Sequence, residues 1–122
     1  MGGYKMNQNE FNIHVASILK DIENLLITKG KEYTLDNNDK LCNFKQSALL
    51  QHIIPEKVLL GYVSKHIIAL FNKVDTLISS NEAMFDYKNV SIKDYNKFHE
   101  YIKDIIVYML LLLALLKERT II

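Results

Sequence analysis

The sequence predicts an all-α protein, a bundle of four main helices packed roughly antiparallel. Three observations carry that prediction. One proline and four glycines punctuate 122 residues, so few positions break a helix. No long run alternates apolar and polar residues with β-branched side chains, as half-buried strands require. Apolar residues instead recur at intervals of three and four, the mark of amphipathic helices.

The first helix is expected from about Asn9 to Thr28. Phe11, Val15, Ile18, Leu19, Ile22, Leu25 and Leu26 form one apolar stripe, Asn7 or Asn9 can cap it, and Gly30 is a natural stop. Lys31 to Asp39 is polar and turn-rich. A second, shorter helix is expected from about Lys40 to His52, capped by Asn38 or Asp39. Pro55 opens a third helix in its first turn, where a missing N–H costs nothing. That helix should reach about Ile78, with the stripe Leu59, Tyr62, Val63, His66, Ile67, Leu70, Val74 and Leu77. Ser79 to Val90 is a connection holding Met84, Phe85 and Tyr87. Ser91, three residues before Asp94, resembles a capping box, and the last helix is expected from about Ile92 to Arg119.

With no internal repeats or low-complexity tracts, the 122 residues make one helical domain, long enough for a real core. Lys plus Arg is 15 and Asp plus Glu is 14, a formal net charge of +1. No global field therefore draws the chain to a nucleic-acid polymer or an anionic membrane. The lone Cys42 reads as a small apolar residue and excludes both an internal disulfide and a Cys-rich zinc site. The N-terminus lacks the apolar core of a signal peptide, so a reducing cytoplasm is expected.

The most informative segment is the last quarter. Ile105 to Leu116 is an unbroken apolar run of 12 residues. A bilayer span needs about 20, so a buried bundle centre or subunit interface is expected instead. Just before the run stand Glu100 and Asp104, one turn apart on one helix face, where like charges repel. Either the face is solvated, with Lys97 and Lys103 as screening partners, or a cation or basic group sits among the acids. Asp104 continues at i+4 into Tyr108 and should be half-buried, and such an acid needs a metal, a base or a donor. A single Mg²⁺ takes one or two carboxylates plus ligand phosphates.

Two further candidates stand out. His66 lies on the stripe of the third helix, the usual place of a core histidine. Lys65 lies at the stripe edge, where it can snorkel to water or face an anion as a compact charge. Lys29, Lys31 and Tyr33, with Asn43, Phe44 and Lys45, either anchor a solvated loop or form a basic and aromatic patch able to stack a base and hold a phosphate. The chain has no phosphate-binding glycine loop, no HExxH and no serine elbow. Its histidines, His14, His52, His66 and His99, share no metal-ligand spacing.

The order Lys29-x-x-x-Tyr33, Asn43-Phe44, Lys65-His66, then Glu100, Asp104 and Tyr108 before a Leu-rich close, resembles small phage-encoded all-α nucleotide-handling proteins. These are akin to the nucleotide pyrophosphohydrolases of the MazG family. The resemblance spans roughly Lys29 to Glu118. It implies a helical nucleotide pocket at a homo-oligomer interface. Hydrolytic relatives hold Mg²⁺ with Glu-x-x-Glu on one helix and Glu-x-x-Asp on another. Here Asp21 and Glu23 of the first helix do not share a face, and the second cluster is Glu100-x-x-x-Asp104. Four convergent carboxylates are missing, which speaks for binding over two-metal hydrolysis.

The reading that follows is a non-catalytic, homo-oligomeric protein of phage type that sequesters a nucleotide signal of host antiviral defence, cyclic dinucleotides included. Lys65, Lys31 and Lys45 would meet phosphates. Tyr33, Phe44 and Tyr108 would stack on the base, and His66, Glu100 and Asp104 would complete the pocket. The alternative is a Mg²⁺-dependent pyrophosphohydrolase with Glu100 and Asp104 as metal ligands and Glu23 or Glu32 completing the set. The third is a purely structural oligomer built on the 105–116 helix.

Overall fold

The computed structural model describes residues 5–33, 41–77 and 89–121, the last five residues of the first helix by backbone alone. These residues fold into four helices, α1 (Gln8–Tyr33), α2 (Cys42–Gln51), α3 (Pro55–Asp75) and α4 (Ile92–Arg119), with no strand among them. The fold is the all-α bundle that the helical periodicity predicts.

The helix ends are chemical. Asn7 begins α1 with a capping box. Its Oδ1 accepts from the Glu10 N–H at 2.8 Å, and Glu10 Oε1 accepts from the Asn7 N–H at 3.4 Å. Gly30 does not stop α1, which runs on to Tyr33. A single glycine inside a helix costs only about 1 kcal/mol relative to alanine, and the good helix formers Lys31 and Glu32 follow it. Residues 34–40, with the expected caps Asn38 and Asp39, lie outside the described residues. The N-cap of α2 is Leu41, which has no capping side chain. Its C-cap is His52, in the left-handed region at φ 57°, and the His52 N–H closes the last turn. Pro55 occupies the first turn of α3 as expected, and α3 ends at Asp75. Ser91 caps α4, its hydroxyl accepting from the Asp94 N–H at 3.1 Å.

Side-chain pairs fix how α3 and α4 lie. Glu56 meets Arg119, Tyr62 meets Tyr108, His66 meets Asp104 and Lys73 meets Asp94. Residue numbers rise along one helix as they fall along the other, so the two are antiparallel and in register over most of their length. The shorter α2 sits where α3 begins and α4 ends. Leu41 joins Leu59 and Leu115 in the buried cluster, with Phe44, Tyr108, Leu111 and Leu112 packed against it. Each fully buried leucine contributes roughly 1.5–3 kcal/mol.

The rest of the core is thin. Ile22 is the buried apolar residue of α1, and Val58, Val63, Ala48 and Val107 complete the set with the three leucines. Other members of the predicted stripes stay in solvent, among them Phe11 and Leu19 on α1, and Tyr62, Ile67 and Val74 on α3. The run 105–116 is only partly surrounded within one protomer. Val107 and Leu115 are buried, whereas Leu110, Leu113 and Leu116 are exposed. A helix that is apolar all round needs neighbours on every side, and this protomer covers only part of its circumference. No described helix is long and apolar enough to cross a membrane.

Candidate functional site

Four aromatic and imidazole rings form a continuous line across α2, α3 and α4. Tyr62 and His66 stand one turn apart on α3, and Asp104 and Tyr108 one turn apart on α4. The i, i+4 spacing puts each pair on one helix face, and the antiparallel register sets the two faces against each other. Tyr62 and Tyr108 stack at 5.8 Å between centroids and 11° between planes. The centroid distance marks an offset stack. Phe44 meets Tyr62 edge-on at 6.4 Å, and His66 meets Tyr108 edge-on at 5.3 Å.

The line ends in an imidazole–carboxylate pair. His66 Nδ1 lies 2.9 Å from the Tyr62 carbonyl oxygen, and His66 Nε2 lies 3.4 Å from Asp104 Oδ2. A carbonyl can only accept, so a hydrogen bond there places the proton on Nδ1. The carboxylate opposite Nε2 is also an acceptor, so both contacts become hydrogen bonds only when the ring carries both protons. The His66 and Asp104 side chains are half-buried, so the pair is shielded on one side and open on the other.

The structure brings Phe44, His66, Asp104 and Tyr108 together. It also adds Tyr62, which the stripe pattern placed in the core. The signal for Tyr62 was present in the sequence: it precedes His66 by four residues, as Asp104 precedes Tyr108. The acidic pair is divided between two partners. Asp104 turns to His66, whereas Glu100 is exposed and paired with Lys97 at 3.5 Å. Lys65 is exposed beside His66. Lys45, next to Phe44, forms an ion pair with Glu118 at 3.0 Å. The side chains of Lys29, Lys31, Glu32 and Tyr33 lie outside the described residues. Among the described residues no three His, Cys, Asp or Glu side chains are placed to share a metal ion.

Fold and site define an all-α protein with a half-exposed aromatic line running into a histidine–aspartate pair. Comparison with protein-family models finds no match, and comparisons with curated proteins and with solved structures find none either.

Proposed function

We propose that the chain binds a nucleotide without cleaving it. The line Phe44–Tyr62–Tyr108–His66 ending at Asp104 is the observation that carries this reading. Nucleobases are flat and π-rich, and stacking on an aromatic ring contributes about 1–3 kcal/mol per base. Tyr62 is 42% exposed, so a base can approach the line from solvent at this residue. Asp104 can accept from an exocyclic amine or a ribose hydroxyl. Lys65, exposed on the turn that carries His66, supplies a point charge for phosphate. The division of Glu100 and Asp104 between a lysine and a histidine favours binding over a shared metal. In a phage-type protein this chemistry would serve to withhold a nucleotide signal, cyclic dinucleotides included, from its receptor.

Calorimetric titration with mononucleotides and cyclic dinucleotides tests the proposal. The expected result is saturable binding by at least one of them, and recovery of that nucleotide intact after the complex is denatured. Tyr62→Ala should weaken binding roughly 5- to 150-fold. Lys65→Ala should weaken phosphate-bearing ligands more than nucleosides. Cleaved product that forms with Mg²⁺ and stops with EDTA would replace this reading with hydrolysis, and silence across the whole panel would end it.

A further inference from the structure

A second apolar line runs along α3, away from the aromatic site. Leu60, Ser64, Ile67, Phe71 and Val74 follow at intervals of four, three, four and three residues. This is the heptad spacing of a coiled-coil seam, in which successive positions pack into a second helix. At 100° per residue the seam lies opposite the Tyr62 edge that meets α2, and about a quarter turn from Leu59 and Val63. Every seam residue is exposed. Phe71 is 69% exposed and Leu60 and Val74 44% each, with Ile68 at 61% alongside. Phenylalanine is not left in water at a heptad position without cost, since burying such a side chain is worth roughly 1.5–3 kcal/mol.

The charges beside the seam select its occupant. Lys57 and Asp75 are both exposed, and neither has an ion-pair partner among the described residues. They stand eighteen residues apart, which is five full turns, so they lie on one line along the same side of the seam. About 27 Å separates them, one near each end of the helix. Laying a second copy of α3 antiparallel on the first, with the two-fold axis level with residue 66, sets Lys57 beside the partner's Asp75 at both ends. The same placement packs Leu60 against the partner's Phe71 and Ser64 against the partner's Ile67. A parallel pairing would bring Lys57 level with the partner's Lys57 instead.

We infer that the exposed face of α3 is a self-association surface, on which a second copy of this chain docks antiparallel through Leu60, Ser64, Ile67, Phe71 and Val74, with Lys57 and Asp75 fixing the direction. The five large apolar side chains on this face, Ile68 included, present on the order of 500 Å² per copy. Both copies together reach the roughly 1,000 Å² at which specific interfaces begin. The association is therefore a reversible dimer of modest affinity, and it stands whether or not the aromatic site binds a nucleotide.

Sedimentation velocity on the full chain, from about 1 to 100 µM, reads it directly. A concentration-dependent monomer–dimer equilibrium is expected. Phe71→Glu should leave only monomer, with the helical circular dichroism unchanged because the side chain it replaces is exposed. Leu60→Lys is the second variant should that one fail to fold. Lys57→Glu and Asp75→Lys should each raise the dimer dissociation constant about twofold to fivefold. Combining them recreates the pairs with reversed sign and should bring the constant back to within about twofold of wild type. A wild-type chain that stays monomeric at roughly 100 µM overturns the inference. So does a dimer indifferent to both Phe71→Glu and Leu60→Lys, or a charge-reversed double variant no tighter than either single one.

Discussion

Glu56 is the one charged residue whose side chain the protein buries among the described residues, and its position explains why that is tolerated. It sits in the first turn of α3, where the helix macrodipole favours an anion. The Arg119 guanidinium, from the last residue of α4, forms an ion pair with it. The guanidinium lies off the line of a hydrogen bond, and neither carboxylate oxygen of Glu56 accepts one. The contact is therefore electrostatic, and removing the cation leaves a buried charge uncompensated. Arg119→Ala should cost about 1–3 kcal/mol, below the full penalty for breaking a buried pair because Arg119 itself is half in water. Lys45→Ala, which opens the solvent-exposed pair with Glu118, should cost at most about 1 kcal/mol. Urea unfolding of the two variants checks the order, and equal losses would mean that burial at Glu56 carries no weight. The same residues show what a sequence can and cannot disclose about a site. Asp104 and Tyr108 stand out in the sequence because they lie one turn apart on one helix, and His66 because it interrupts the apolar stripe of α3 beside Lys65. The Tyr62–Tyr108 stack and the Glu56–Arg119 contact are not legible, because both depend on which turn of α3 meets which turn of α4. That register follows from the packing of distant segments, and no local pattern encodes it.

The start of α4 illustrates how capping and electrostatics combine within one element. Asp94 sits in the first turn, where Ser91 caps its N–H, and its carboxylate takes a 2.7 Å hydrogen bond from Lys73 on α3. The hydrogen bond from Lys73 holds the Asp94 carboxyl below its ordinary value. The charges of Lys73 and Lys93 and the Ser91 hydroxyl pull the same way, and partial desolvation opposes them. A carboxyl depressed in the folded state contributes stability that is fully present above the ordinary aspartate value, near pH 4, and is lost as pH falls through the lowered value. Melting temperature should therefore fall as pH drops below the ordinary aspartate value, near pH 4, and Asp94→Asn should flatten part of that fall. An acid limb of unchanged depth in the variant would show that Asp94 is not among its causes. The boundaries of α4 were legible from Ser91 at one end and Arg119 at the other, because a cap is local chemistry. The run past Gly30 was not, since a glycine stop is optional wherever the following residues favour helix.

At the scale of the whole molecule, stability should be distributed unevenly. The antiparallel pair α3 and α4, with α2 at one end, holds the buried leucine cluster and four cross-helix contacts along its length. Among the residues whose side chains are described, α1 offers Ile22 as its one buried apolar anchor and leaves Phe11, Ile13, Leu19 and Ile27 in solvent. An isolated helix of this length is marginal in water, because tertiary packing supplies most helical stability. Local opening of α1 should thus cost much less than global unfolding, while α3 and α4 open only with the whole. Native-state hydrogen exchange should show α1 amides opening at lower free energy than those around Leu59, Val63 and Val107. Ile22→Ala should widen the gap. Truncating a buried isoleucine costs about 2–5 kcal/mol where the site cannot collapse, and beside Ile22 only half-buried residues such as Val15, Ile18, Leu25 and Leu26 hold the described part of α1. In that variant α1 amides should exchange faster than in the wild type while α3 and α4 keep most of their protection. Equal protection across all four helices in the wild type would mean that α1 is held by contacts beyond Ile22, and that the bundle opens as one unit.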